Sequence, residues 1–140
     1  MTNYEGIQIN ITPEKSEELF YNAMCNSFGC LGGYGLRLEI DEEAYKKARK
    51  ALYEDILLTK VDKVICVEDV YLRMLKDGGY MIVVDEESGD YTVKITIKEV
   101  HERVSKTPLR FLMNMINDRD DASDGDALLQ TVFFEDVIFG

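Results

Sequence analysis

The residues from Ala127 to Phe139 read Ala-Leu-Leu-Gln-Thr-Val-Phe-Phe-Glu-Asp-Val-Ile-Phe, a run that at helical period is apolar on nearly every side. A surface helix keeps a polar face toward water, so a segment without one is enclosed by its own fold or by a partner. That requirement constrains everything before it, because the rest of a 140-residue chain has to supply the enclosing faces. The material is there: 46% of the residues are hydrophobic, with eight Tyr and six Phe. A chain of this size buries most of its apolar surface in one core, which predicts a single domain over 1–140.

Short-range signals predict the enclosing elements. Ile7, Ile9 and Ile11 alternate with Gln8 and Asn10, the period of a half-buried strand. Thr12 is a good N-cap with Pro13 at the first helical position, and Leu19, Phe20, Ala23 and Met24 form a stripe that predicts a helix to about Phe28. Gly29-Cys30-Leu31-Gly32-Gly33-Tyr34-Gly35 then reads as a break, and Leu36, Leu38 and Ile40 as a strand. Asp41, followed by Glu42 and Glu43, opens a helix to about Thr59 with Ala44, Ala48, Ala51, Leu52 and Ile56 on one face and Lys46, Lys47, Arg49 and Lys50 on the wet side.

Val64, Val67, Val70, Tyr71, Met74 and Leu75 repeat at helical spacing, and Gly78-Gly79 stops that helix. A β-hairpin follows, with strands from Tyr80 to Asp85 and Tyr91 to Ile95 around the polar loop Glu86-Glu87-Ser88-Gly89-Asp90. Thr96 and Glu99 match a capping box for a short helix ending near Lys106, and Leu109, Leu112, Met113 and Ile116 mark another. The stretch from Asn117 to Gly125 reads as an acidic loop, with the last helix from Asp126 onward. The order of elements predicts an α+β domain with a β-hairpin and about five to six helices.

Sixteen basic against 27 acidic residues leave a net charge of −11. Direct binding to nucleic acid or to an anionic membrane is therefore disfavoured, and a partner with a basic surface is favoured. No run of about 18 apolar residues is present, and the start Met1-Thr2-Asn3-Tyr4-Glu5 lacks the regions of a signal peptide, so the expectation is a cytoplasmic protein. Cys25, Cys30 and Cys66 lack disulfide spacing and are expected to be small buried hydrophobes.

Candidate chemistry is thin. The glycine stretch lacks the Lys and Ser or Thr of a P-loop, and it follows a helix where a phosphate cradle precedes one. A zinc site would need all three cysteines together with His101, the one histidine, which is expected to be structural. Asp118, Asp120, Asp121, Asp124 and Asp126 crowd one segment as calcium ligands do, yet an EF-hand started at Asp120 has Ala122 and Thr131 at ligand positions. The expectation is no catalytic residue, no metal and no cofactor. The remaining candidates are the acidic clusters, Asp85, Glu86, Glu87 and Asp90 on one side and the five aspartates of 118–126 on the other, with a turn at 39–43. Alternate residues of one strand face, such as Asp85 and Glu87, stand about 6.5 Å apart, comparable with phosphate spacing.

The ending from Asp121-Ala122 through Asp126, Gln130 and Phe134 to Val137-Ile138-Phe139-Gly140 resembles that of small uncharacterised proteins encoded by phages and prophages. Leu75-Lys76-Asp77-Gly78-Gly79, Val84-Asp85-Glu86-Glu87 and Ile95-Thr96-Ile97 extend the resemblance over about residues 64–140, with Glu135 where those families often have glycine. The resemblance implies a bacterial host cell, and small acidic phage proteins include anti-CRISPR inhibitors of Cas9-type nucleases. Three functions follow as expectations. The first is a non-enzymatic inhibitor that occupies the basic nucleic-acid groove of a host defence nuclease through the nine acidic residues named above. The second is an assembly module pairing copies through the apolar C-terminal segment. The third is a small nucleotide-signal binder or enzyme built around Gly29 to Tyr34.

Overall fold

The computed structural model describes residues 9–60 and 62–140. Among these residues, six α-helices and a three-stranded antiparallel sheet make an α+β fold. Helix α1 (Pro13–Gly33) is followed by β1 (Leu36–Ile40), α2 (Glu42–Thr59), α3 (Val67–Lys76), β2 (Met81–Asp85), β3 (Val93–Ile95), α4 (Ile97–Arg103), a 3₁₀ turn at Val104–Lys106, α5 (Leu109–Ile116) and α6 (Ala122–Phe134).

Strand order is β1-β2-β3, with Leu36 opposite Asp85, Leu38 opposite Val83 and Ile40 opposite Met81, while Met81 and Val83 face Ile95 and Val93. Side chains alternate across a strand, so these residues share the face that closes on the helices, and Arg37, Glu39 and Lys94 line the wet one. Val93, two residues later than expected, opens β3, because the Tyr91 amide donates to the Asp85 carboxylate at 3.3 Å.

The all-apolar run is enclosed by its own chain. Helix α6 lies against α1, α5, α4 and β3, and every residue from Asp124 to Phe133 is buried. The run is therefore spent on the core, and no open α6 surface from 124 to 133 remains for a second copy. Its helix also starts earlier and stops sooner than the sequence reading, because Asp121 caps it and the chain turns left-handed at Glu135, φ 64°.

Two further expectations change. Ile9 and Ile11 are half-buried against the core in irregular chain, not in a strand, and Ile7 lies outside the described residues. The glycine stretch does not break α1, which runs on through Gly29 and Gly32 to Gly33. Each helical glycine costs about 1 kcal/mol relative to alanine. Full burial of a leucine contributes about 1.5–3 kcal/mol, and Leu31 is buried while Phe28 packs against Tyr71. The turn comes at Gly35, φ 77°, where a Cβ would meet the Glu87 side chain at 2.8 Å.

Close approach of α1 to α6 depends on Gly125, whose added Cβ would lie 2.3 Å from Ser27 Oγ. Ser27 Oγ instead donates to the Ala122 carbonyl at 2.9 Å. No helix among the described residues is long and apolar enough to cross a membrane.

Candidate functional site

The hairpin loop divides its carboxylates between inside and outside. Asp85 is buried at the end of β2, where Oδ1 accepts the amides of Glu87 and Ser88, and Oδ2 accepts the Ser88 hydroxyl at 2.6 Å and the Tyr91 amide. The Ser88 hydroxyl, helped by the amides of Ser88, Tyr91 and Glu87, holds the Asp85 carboxyl down at about 2. Glu86, Glu87 and Asp90 are exposed on the loop thus fixed. Glu87 sits in the turn and Asp85 points inward, so the two do not form a strand-face pair spaced like phosphates.

The second cluster divides in the same way. Asp121 accepts the Ser123 and Asp124 amides while Asp124 Oδ2 accepts the Asp121 amide at 2.9 Å, a reciprocal cap for the first turn of α6. Asp124 also accepts from Asn114 at 3.2 Å, and it is buried. Asp126 is buried too, accepting the Tyr34 hydroxyl at 2.5 Å and the Gln130 amide at 3.1 Å. That hydroxyl bond, together with burial, pushes Tyr34 up to about 12. Asp118 and Asp121 are exposed, and half-exposed Asp120 accepts from Asn26 of α1 at 2.8 Å.

Both loops adjoin the C-terminal part of α1, one through Asn26 and Asp120, the other through Gly35, whose carbonyl accepts the Glu86 amide. The outward set is Glu86, Glu87, Asp90, Asp118, Asp120 and Asp121; Asp85, Asp124 and Asp126 are spent on internal bonds. Arg37 lies 3.7 Å from Glu86 and 2.7 Å from Glu39, and Arg119 stands between Asp118 and Asp120 in the second loop. At the 39–43 turn Asp41 caps α2, accepting the Ala44 amide at 3.2 Å, and Glu42 and Glu43 are exposed.

Sequence reasoning missed a clamp on the chain's last residues. Gln130, fully buried, donates to the Phe139 carbonyl and to Asp126, each at 3.1 Å, and its carbonyl accepts the amides of Ile138 at 2.7 Å and Phe139 at 2.8 Å. Phe139 stacks on Tyr34 at 5.0 Å and meets Tyr91 and Phe134 edge-on. The signal was a glutamine set in the apolar run from Ala127 to Phe134. Asp121 caps α6, and Asp126, Gln130, Phe134 and Phe139 hold this clamp.

The other candidates are occupied elsewhere. His101 contacts Glu17 at 2.7 Å, with Lys76 on the same carboxylate at 3.5 Å. Cys25 and Cys66 are exposed and Cys30 is half-buried, against the expectation that all three are core residues. Among the described residues, no three His, Cys, Asp or Glu side chains converge as metal ligands. From Gly29 to Gly33 the backbone is helical, and one face of the Tyr34 ring is covered by Phe139. Comparison with family models, curated proteins and solved structures gives no match.

Proposed function

We propose that the chain is a non-enzymatic phage-type inhibitor that docks Glu86, Glu87, Asp90, Asp118, Asp120 and Asp121 on the basic nucleic-acid groove of a host defence nuclease. One observation supports this reading above the others. Each acidic loop is braced by a buried aspartate, so its outer carboxylates are presented without the ordering cost that a loose loop meets on binding. A guide-loaded nuclease holds its heteroduplex in a positively charged channel, and an acidic ligand there competes with nucleic acid.

The test is DNA binding by each guide-loaded nuclease of the host at low and at physiological salt, with and without purified protein. Wild type should weaken DNA binding most at low salt, because electrostatic attraction is screened over about 10 Å at 0.1 M. Charge reversal of the exposed set Glu86→Lys, Glu87→Lys and Asp90→Lys should remove that effect while the fold survives. Unimpaired DNA binding by every such nuclease at low salt refutes the reading.

A further inference from the structure

A cavity of about 490 Å³ opens between α5, α6 and the last residues of the chain. Buried Asp126 and Ala127 line it from the core side, and exposed Arg110 and Ser123 line it at the surface. Phe111 and Phe139 add aromatic walls. A space of this size admits a small organic molecule.

Two of its side chains lack what their chemistry requires. Asp126 is 8% exposed, and its internal bonds occupy one oxygen: Oδ2 accepts the Tyr34 hydroxyl and the Gln130 amide, whereas Oδ1 is buried with no hydrogen-bond partner. Buried acceptors are ordinarily paired, because one without a donor has lost water and gained nothing in return. Arg110 has the opposite need. Its guanidinium lies 4.4 Å from the centre of the Phe111 ring and pairs with no carboxylate among the described residues.

We propose that this cavity binds a small zwitterion of the α-amino acid class, with its ammonium on Asp126 Oδ1, its carboxylate on Arg110 and an apolar side chain against Phe111 and Phe139. Charge selects the class, since the side chains of the lining carry one anion and one cation. A nucleotide would bring a phosphate to a chain of net charge −11 with a single guanidinium to meet it. A polyamine would set further cations against Arg110, and an uncharged apolar molecule would leave Oδ1 unpaired. An ammonium also suits one open oxygen better than a guanidinium, whose parallel donors call for two.

The test is a titration of the ¹⁵N-labelled chain with L-phenylalanine and L-leucine, followed by amide chemical shifts. L-phenylalanine should bind with a dissociation constant on the order of 0.1 mM and shift the amides of Arg110, Ser123 and Asp126. Phenethylamine lacks the carboxylate and 3-phenylpropanoate lacks the ammonium, so each should bind at least about 10-fold more weakly. Arg110→Gln, at an exposed side chain, should weaken L-phenylalanine about 10-fold and leave phenethylamine within about 2-fold, a split that a merely disturbed cavity would not give. No saturable shift with either amino acid up to about 10 mM overturns the inference. So do shifts centred away from α5 and α6, equal weakening of both ligands by Arg110→Gln, or tighter binding of adenosine monophosphate than of either amino acid.

Discussion

Replacing Gln130 by Leu keeps the volume of a fully buried side chain and removes four hydrogen bonds. Were the last residues to stay in place, the amides of Ile138 and Phe139 and the Phe139 carbonyl would lose their partner, at about 1–3 kcal/mol for each group left unpaired. The tail has a cheaper response, because Ile138 is already 38% exposed and residues 137–140 can detach into water. Detachment forfeits the packing of Phe139, whose ring meets Tyr34 at 5.0 Å, Tyr91 at 5.3 Å and Phe134 at 6.0 Å. At about 0.5–1.5 kcal/mol for each aromatic pair, offset in part by burying Leu in place of an amide, the expected loss is about 1–4 kcal/mol. Urea denaturation measures that loss, and hydrogen exchange identifies its origin, since the amides of Ile138 and Phe139 should lose protection while those of α6 keep it. Phe139→Ala should then cost much less in the Gln130→Leu background than alone, because the ring has already left. A loss below about 1 kcal/mol with those two amides still protected, or strict additivity of the two substitutions, refutes the clamp.

Gly125→Ala gains helix propensity but drives a methyl group into Ser27 Oγ at 2.3 Å, so a net loss of about 2 kcal/mol in urea unfolding is expected, about half of it recovered by Ser27→Ala. Glu135→Gly should raise stability by about 0.5–1 kcal/mol in the same assay, because relief of a left-handed non-glycine residue outweighs glycine entropy and the 3.5 Å contact with Arg103 at an exposed site. Asp85 has a carboxyl held at about 2, below its unfolded value near 4, so its contribution is complete above about pH 4 and is lost as pH falls toward 2. Stability measured from pH 6 to 2 should therefore fall less steeply in Asp85→Asn than in wild type, and parallel curves count against the loop-pinning role.

Elements governed by neighbours in sequence were legible. Asp41 ahead of two glutamates, Thr96 with Glu99 three residues on, and the alternation from Met81 to Asp85 each fix a helix start or a strand through contacts a few residues away. Legibility ended where the deciding partner is distant. Gly29, Gly32 and Gly33 looked like a break because their propensity is local, whereas the burial of Leu31 that carries α1 past them is tertiary. Asp126 reads in the sequence as an outward member of the acidic cluster at the start of the last helix, and its partner Tyr34 lies 92 positions earlier. An aspartate that pins a loop and one that faces water have the same side chain, so the inner and outer members of each acidic cluster could be told apart only once the backbone was placed. The pairing of β1 with β2 likewise joins segments that share no turn.

Docking through the acidic loops draws on attraction between opposite charges, the chain carrying a net charge of −11, so raising salt from about 20 to 200 mM should weaken it. Both loops are tied to the end of α1, one through Asn26 and the other through Gly35, so their outer carboxylates are presented from one support. If inhibition keeps its strength across that salt range, the charge of the loops does not carry the docking, and the reading of the two acidic clusters is wrong.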